Sequence, residues 1–300
     1  MIDTQTAFLR YESLRSSLPA ATFPDTSQTG RNLSDTIEHF DAYILDAFGV
    51  LNRGETAIAG AVSRMAKLRA AGKRLVVLTN AASYTRAEIL AKYHRLGFDF
   101  SAEEVVSSRD VAFANLPKLK ENQFWATISA DGDDFSDAPQ TEVLKDLVEH
   151  PELLSSAGGF LFLSTARWSA TSTSNLCNAL TVNPRPLVVA NPDLVAPRED
   201  GLSIEPGMIA HDIVTRNATK ATFYGKPYAD AFDTALTRLG GIPLHRIAMV
   251  GDTLHTDVLG GAAAGVGTIL ITDHGLFKGF DVAPFIEKSG IRPNWIISTT

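Results

Sequence analysis

The chain has 300 residues, 45% of them hydrophobic and 20% charged, which is typical of a globular protein long enough for two domains. Its formal charge of −7 argues against a nucleic-acid or membrane-surface partner, because both favour basic patches. The single cysteine, Cys177, excludes an internal disulfide and fits a reducing compartment. No apolar run approaches the length of a membrane span, and the N-terminus lacks the apolar core of a signal peptide, so we expect a cytoplasmic protein.

The first part of the chain is expected to alternate strands and helices after an N-terminal extension, residues 1–36. A short amphipathic helix is predicted within this extension, with Phe8, Leu9, Leu14 and Leu18 on or near one face. Residues 37–121 then contain a short apolar strand that ends in Asp46. A second apolar strand, over 74–80, ends in Thr79 and Asn80, and each strand is followed by a predicted helix. This alternation is typical of right-handed parallel βαβ units.

The middle of the chain, residues 122–218, holds enough predicted strands and helices for a small α/β domain of its own. Its predicted elements include a helix over 141–150, a helix that carries Cys177, and a strand that ends in Asp193. Residues 219–300 resume the first pattern, with strands expected to end in Lys226, in Asp252 and near Asp273. The predicted fold class is therefore α/β, a doubly wound parallel-sheet core interrupted by an inserted α/β domain.

Polar residues follow four of the apolar strands. Parallel strands end at one edge of a sheet, so these side chains can converge although they are far apart in sequence. The carboxylates can hold Mg²⁺ through oxygen ligands, and the hydroxyl, amide and ammonium groups can hold a phosphate. A carboxylate that faces this phosphate can attack it and form an aspartyl-phosphate. The residues concerned are Asp46, Thr79, Asn80, Lys226 and Asp252.

These residues stand in motifs that resemble those of the haloacid dehalogenase (HAD) superfamily. The first motif is DAFGV from Asp46, the second is Thr79-Asn80, the third is GKP with Lys226, and the fourth is GDTLHTD over 251–257. NPD at 191–193, together with GKP and GDTLHTD, is similar to the class IIA branch, the nitrophenylphosphatase-like or predicted sugar-phosphatase group. That branch inserts its cap domain between the second and third motifs, which is where residues 122–218 lie.

The resemblance implies a role for each motif residue. Asp46 would be the nucleophile, and Lys226 would assist catalysis while binding the phosphate with Thr79 and Asn80. Mg²⁺ would be the cofactor, and a small phosphorylated metabolite the substrate; a homodimer is possible. The implied metal ligands are Asp46, the backbone carbonyl of Phe48, Asp252 and, in a supporting role, Asp257.

Phe48 departs from the phosphatase pattern. Phosphatases of this superfamily usually carry a second aspartate two residues after the nucleophile, which protonates the leaving group and later activates water. The metal ligand at this position is a main-chain carbonyl and survives the change, but the acid–base group is lost. Such a group is typically worth ~10²–10⁴ in rate. Activity should then favour aryl and acyl phosphates, whose leaving groups need no proton, unless another group, for example from the cap, supplies one.

Two other functions stay open. One is a hydrolase that uses the same nucleophile on a carbon–halogen or carbon–phosphorus bond, and the other is a non-catalytic binder of phosphorylated metabolites. Among the remaining residues, His255 has a surface, core or ligand role, and Asn191 and Asp193 are expected to shape a cap turn rather than contact substrate. Trp168 and Arg167 could line the substrate entrance or pack, and Cys177 is expected to pack.

Overall fold

A computed structural model describes residues 2–217 and 219–300; Met1 and Ala218, which begin the predicted extension and end the predicted cap, lie outside the described residues. The strands are β1 Gln28–Gly30, β2 Ala42–Leu45, β3 Asn52–Arg53, β4 Thr56–Ala57, β5 Arg74–Thr79, β6 Val105–Ser107, β7 Trp125–Ile128, β8 Leu144–Asp146, β9 Gly159–Phe162, β10 Leu187–Val189, β11 Val195–Arg198, β12 Gly201–Ile204, β13 Ala221–Phe223, β14 Ile247–Gly251, β15 Gly267–Ile271 and β16 Trp295–Ile297. The α-helices are α1 Thr4–Ser13, α2 Ala61–Ala70, α3 Arg86–Arg95, α4 Ser108–Ala114, α5 Ala170–Val182, α6 Pro206–Asn217, α7 Ala229–Leu239, α8 Leu259–Ala263 and α9 Ala283–Ser289. None of these helices combines the length and the apolar composition that a membrane crossing requires.

A parallel sheet of seven strands forms the larger half of the molecule, in the order β1-β16-β15-β14-β2-β5-β6. Both faces of its central strand β2 are covered. Tyr43 and Leu45 point into one apolar cluster, while Ala42 and Ile44 point into another on the opposite face. Burial on both faces explains why this strand is a continuous apolar run rather than an alternating one. The predicted α/β doubly wound core is confirmed.

The strand order changes direction between β2 and β14. From β2 the chain continues to β5 and β6 on one side, and from β14 it continues to β15 and β16 on the other. The two strands pair in parallel, with Leu45 opposite Val250, so that both end at the same edge. Open α/β sheets bind their ligands in the crevice at such a switch point. Asp46 and Asp252 are the residues that emerge there.

A second parallel sheet, in the order β13-β10-β9-β7-β8, is built mainly from the inserted segment. Phe160 and Phe162 of β9 pack against α5 and α6 on one face. The alternate residues Leu161 and Leu163 join the apolar cluster of the large sheet on the other. The inserted α/β unit is thus packed onto the core rather than tethered beside it.

Two predicted elements were wrong. The strand before Lys226, β13, was expected in the core sheet but pairs with β10 at the edge of the smaller sheet. The predicted helix over 141–150 contains instead the short strand β8, which pairs with β7. Asp146 at the end of β8 accepts the backbone N–H of Val148 at 2.7 Å and pairs with Arg167. Strand pairing and this turn outweigh the helical tendency of the segment.

The N-terminal extension docks on both halves of the molecule through α1. Asp3 caps this helix by accepting the N–H of Thr6 at 2.7 Å. Its buried face carries Phe8 and Tyr11, whereas Leu9, expected on that face, is 43% exposed because it lies on the opposite side of the helix. The Tyr11 hydroxyl accepts the backbone N–H of Leu194 at 3.0 Å, so the extension reaches the NPD turn.

Candidate active site

The carboxylates of Asp46 and Asp252 are fixed by the backbone at the switch point. The N–H of Asp46 donates to the carbonyl of Val250 at 2.8 Å, which carries the pairing of β2 and β14 one residue beyond the strands. Asp252 Oδ2 accepts the N–H of Leu276 at 2.7 Å, and its Oδ1 accepts the hydroxyl of Thr253 at 3.0 Å. The backbone of Asp46 and the carboxylate of Asp252 are therefore fixed before any ligand binds.

Asp257 completes a group of three buried carboxylates. It lies in a π-helical turn, Leu254–Val258, that follows β14. Its Oδ2 accepts the N–H groups of Asp252 at 3.2 Å and Thr253 at 3.1 Å. One oxygen from each of Asp46, Asp252 and Asp257 lies within 4.8 Å of the others, a spacing that a metal ion can bridge.

Lys226 brings its ammonium into the same group, although its strand belongs to the smaller sheet. Its side chain is 1% exposed; Nζ forms an ion pair with Asp46 Oδ1 and lies 2.8 Å from Asp257 Oδ1. Lys226 and Asp46 thus lie together, as the predicted convergence of the strand ends requires. The carboxyl ends of strands in the two sheets thus meet at one site.

Burial and like charges shift the pKa values of this cluster. Desolvation raises the pKa of Asp46 to about 7, with Lys226 opposing the shift and Asp257 adding to it. Desolvation, Asp257 and Asp46 raise the pKa of Asp252 to about 8. For Lys226, desolvation favours the neutral amine, but Asp257 and Asp46 outweigh it and raise the pKa. Full ionisation of the three carboxyls would leave more negative charge than one ammonium can neutralise, and a bound cation would favour that ionised state.

Asn80 holds the backbone of Lys226. Its Oδ1 accepts the N–H of Lys226 at 2.7 Å, and its Nδ2 donates to the carbonyl of Lys226 at 2.9 Å and to Asp193 Oδ1 at 2.8 Å. These bonds occupy both Nδ2 donors, so the structure indicates a positioning role for Asn80. Its phosphate contact stays a prediction. Thr79, the last residue of β5, is 1% exposed and accepts the N–H of Ala81 at 3.1 Å.

The Phe48 side chain lies between two cations at the edge of the site. Its ring is half-buried, and Lys92 Nζ lies 5.0 Å and Arg198 Cζ 4.7 Å from the ring centroid. Arg198 comes from β11, so the ring joins the core to the inserted segment. The cation–π contact with Arg198 therefore helps to hold the inserted segment against the core.

A cavity of about 450 Å³ opens beside the carboxylates. Its walls come from the core and from the inserted segment, and Phe48 and Asp193 are the wall residues that adjoin the buried cluster. Most of the other polar groups are hydroxyls, amides and acids. The lining residues are Phe48, Ala81, Ser83, Tyr84, Glu88, Ala130, Asp131, Ser164, Thr165, Ala166, Asn191, Asp193, Ala196, Arg198, Ser203 and Glu205.

His255 belongs to the core despite its place in the fourth motif. It is fully buried, its Nε2 lies 2.5 Å from Glu12 Oε1, and its ring stacks on Tyr11 at 5.0 Å. Desolvation lowers its pKa to about 4. It anchors α1 behind the acidic cluster, a role that depends on partners about 240 residues away and that no local pattern reveals.

The other residues singled out in the insert have packing or bracing roles. Trp168 packs on Phe162 and donates to the Thr173 hydroxyl at 3.0 Å. Arg167 donates to the carbonyl of Ala130 at 3.0 Å and pairs with Asp146, so it braces the cavity wall from behind. Cys177 is buried in the apolar cluster of the smaller sheet, as expected.

Gly49 is expected to be intolerant of a side chain. Its φ is +79°, and a Cβ there would lie 2.8 Å from the Asp252 side chain. Gly60, with φ of +85° and open space around it, provides a matched control for the backbone cost alone. Gly60→Ala should lower the free energy of unfolding by roughly 1 kcal/mol, and Gly49→Ala by roughly 2–3 kcal/mol. Urea titration of both variants measures the difference; equal losses would show that Asp252 moves aside freely.

Comparison with known proteins agrees with this geometry. A family model for haloacid dehalogenase-like hydrolases matches residues 43–135, and a HAD-hydrolase-like model matches residues 223–297. Human glycerol-3-phosphate phosphatase is 32% identical over 284 residues, which cover 86% of this chain and 88% of that protein. The chain belongs to the haloacid dehalogenase-like hydrolases. The two matched segments contain the motifs of Asp46 and Thr79 and those of Lys226 and Asp252, respectively.

Solved structures show the same fold at lower identity. A possible sugar phosphatase of the HAD superfamily from Cytophaga hutchinsonii superposes with a TM-score of 0.78 at 24% identity, covering 91% of this chain and 98% of that one. A glycerol phosphate phosphatase from Mycobacterium tuberculosis, in complex with magnesium, superposes with a TM-score of 0.66 at 21% identity, covering 88% and 76%. The predicted resemblance to this superfamily is confirmed.

Proposed function

We propose that this HAD-like hydrolase is a Mg²⁺-dependent phosphatase that transfers a phosphoryl group from a small metabolite to Asp46 and then to water. The observation that carries the proposal is the position of Lys226, whose ammonium contacts both Asp46 and Asp257 at the switch point. A buried lysine between two carboxylates neutralises them only in part, and a phosphate with a divalent cation completes the charge balance.

The acidic cluster fits the proposed cation. Asp46, Asp252 and Asp257 present oxygen ligands only, within bridging distance of one another, and hard oxygen ligands are those that Mg²⁺ prefers. Asp46 and Asp252 would bind it directly with the carbonyl of Phe48, and Asp257 would support them. When bound, Mg²⁺ would neutralise charge on the transferring phosphoryl group.

The chain's own residues then account for the first half of the reaction. Asp46, fixed by its backbone bond to Val250, attacks phosphorus, and its partner Lys226 stabilises the negative charge that spreads over the phosphoryl oxygens. Thr79 offers a hydroxyl at the end of β5 for the same oxygens. Asn80 keeps Lys226 in place through both of its backbone groups. Burial of the cluster excludes bulk water and strengthens each of these interactions.

The substrate class rests on the relatives and on the cavity. Two of the proteins named above are phosphatases of glycerol phosphate, and the third is described as a possible sugar phosphatase; the chain shares most of its length with all three. A cavity of about 450 Å³ lined largely by hydroxyl, amide and carboxylate groups accommodates the polar remainder of a small phosphorylated metabolite.

The smaller sheet would serve as the cap, with the core and cap boundaries as predicted apart from β13. The cytoplasmic location and a homodimer stay predictions.

Metal removal tests the cofactor. Chelation of divalent cations should abolish hydrolysis of 4-nitrophenyl phosphate, and Mg²⁺ should restore it. Mg²⁺ should also raise the thermal unfolding midpoint, because it relieves repulsion among three buried carboxylates. Asp252→Asn should remove both effects while the circular dichroism spectrum stays native.

The open alternatives make different predictions for the same samples. A hydrolase of carbon–halogen bonds would keep full activity in excess chelator and release halide from chloroacetate or bromoacetate. A non-catalytic binder would show the Mg²⁺-dependent thermal shift without turnover of any phosphate ester. Either result would contradict the proposed phosphatase.

A further inference from the structure

The proposed phosphatase lacks a proton donor at the usual position, because the ring of Phe48 has no proton to give. A leaving alkoxide must nevertheless be protonated, and the water that hydrolyses the aspartyl-phosphate must lose a proton. The cavity wall beside Phe48 contains four carboxyl groups that can be compared for this task. They belong to Glu88, Asp131, Asp193 and Glu205.

Two of these carboxyls are committed to structural hydrogen bonds. Glu88 Oε2 accepts both the N–H and the hydroxyl of Thr85, at 2.8 Å each, in the capping box of α3. Glu205 accepts from Asn191 and from Arg198, at 3.0 Å each. Neither carboxyl contacts a member of the buried cluster among the described residues.

Asp131 is unsuitable as the proton donor for a different reason. Its side chain is 90% exposed, and its ion-pair partner, Arg167, is 3.8 Å away. Solvent rather than the site surrounds this carboxyl. It has no contact with Lys226 or with Asn80 in the part of the chain that the structure describes.

Asp193 differs from all three. Asn80, which also holds the backbone of Lys226, donates to Asp193 Oδ1 at 2.8 Å. The N–H of Asp193 donates to Asn191 Oδ1 at 3.0 Å, which fixes the turn that carries it. Within the described residues Oδ2 has no hydrogen-bond partner, and the residue lines the cavity. One oxygen is thus anchored beside the cluster and the other is free to meet a ligand.

The surroundings of Asp193 favour a protonated carboxyl. Desolvation raises its pKa well above the usual range; Lys226 opposes the shift, while the charges of Asp46 and Asp257 add to it. The buried Tyr11 hydroxyl, close on the side of α1, is itself held neutral by burial and by Asp193, because both raise its pKa. A carboxyl whose pKa is raised in this way holds its proton at higher pH than an ordinary aspartate does, and so can act as a donor.

We propose that Asp193 is the general acid and base of this enzyme, in place of the aspartate that Phe48 replaces. This inference rests on the phosphatase proposed above. As the Asp46 oxygen–phosphorus bond forms and the bond from phosphorus to the leaving oxygen breaks, the proton of Asp193 passes to that oxygen and the alcohol leaves. The Asp193 carboxylate then takes a proton from water as the water oxygen attacks phosphorus. Inorganic phosphate leaves, Asp46 is again a carboxylate, and Asp193 is again protonated.

The test compares esters whose leaving groups differ in their need for a proton. We expect Asp193→Asn to lower kcat/KM for glycerol phosphate by ~10²–10⁴ but for 4-nitrophenyl phosphate by less than about tenfold. Asparagine keeps the shape and can still accept from Asn80 through its amide oxygen. Adding Phe48→Asp to Asp193→Asn should restore turnover of glycerol phosphate, because a carboxyl then stands at the usual position.

A purely positioning role for Asp193 gives a different pattern. Both esters would then lose activity equally, through misplacement of Lys226, and Phe48→Asp would restore neither; this result would overturn the inference. The wild-type protein gives a second measurement that needs no variant. Its rates should depend weakly on leaving-group pKa across aryl and alkyl phosphates, and a steep dependence would contradict a donor at Asp193. A wild type that cleaves no ester with Mg²⁺ would instead refute the phosphatase itself.

Discussion

Lys226→Met is expected to lower the free energy of unfolding by about 3–5 kcal/mol when no divalent cation is present. The change removes the ammonium that pairs with Asp46 and Asp257, and it leaves three buried carboxylates without a cation. Urea titration in chelator measures the loss. Mg²⁺ should recover part of it, because the ion neutralises the same carboxylates.

Lys92→Met is the matched control for this loss. Its side chain is as deeply buried, at 4% exposure, but its partner Glu55 is 53% exposed. Water can solvate Glu55 once the lysine is gone, so we expect a loss of roughly 1 kcal/mol. Equal losses for Lys226→Met and Lys92→Met would show that the three carboxylates do not act as one charged cluster.

Asp46→Asn is expected to lower turnover of every phosphate ester by a factor on the order of 10⁴ or more. The amide cannot form the proposed phosphoryl intermediate, whereas the backbone bond to Val250 and the fold are unaffected. Initial rates with Mg²⁺, measured alongside circular dichroism, separate loss of chemistry from loss of structure.

Asp41→Asn provides the control at the other end of the same strand. Asp41 precedes β2 and pairs with Arg246 at 2.7 Å, far from the switch point. Turnover should be unchanged in this variant. If Asp46→Asn kept a substantial share of wild-type turnover, another side chain would have to be the nucleophile.

The core of the site could be predicted because its residues sit next to strongly local signals. Asp46, Thr79 and Asp252 each end or follow a buried apolar strand, and parallel strands bring their ends together whatever their separation in sequence. Ala42–Leu45 is buried on both faces, and the continuous apolar run that this burial requires made the strand recognisable in the sequence. The apolar pattern of the strands and the parallel topology of the sheet were sufficient to predict where these three residues lie.

For Lys226, the local sequence pattern was sufficient to predict the site but not the sheet. It was predicted to reach Asp46 at the end of a core strand, and it does reach Asp46, but from β13 of the smaller sheet. A three-residue strand carries no information on which sheet it will join, because that choice depends on packing between distant segments. The prediction of a helix over 141–150 was wrong for the same reason, because β8 forms by pairing with the distant strand β7.

The roles of polar side chains were harder to predict than their positions, as Asp193 illustrates. It was expected only to shape a turn, yet a hydrogen bond from Asn80, 113 residues earlier in the chain, places it at the cavity beside Lys226. His255 shows the converse, because a motif position proved to be a core position once α1 packed on it. Contacts of this separation leave no periodic signature in the sequence.

The most direct test of the account is to capture the phosphoryl group on Asp46. The wild-type protein, mixed with 4-nitrophenyl phosphate and Mg²⁺, is quenched in acid during turnover, digested and analysed by mass spectrometry. Asp193→Asn is run in parallel, because loss of its base should make the intermediate accumulate. We expect one phosphoryl group on the peptide that contains Asp46, absent when Mg²⁺ is chelated. Release of phosphate with no modified peptide, or with the phosphoryl group on another residue, would contradict the account.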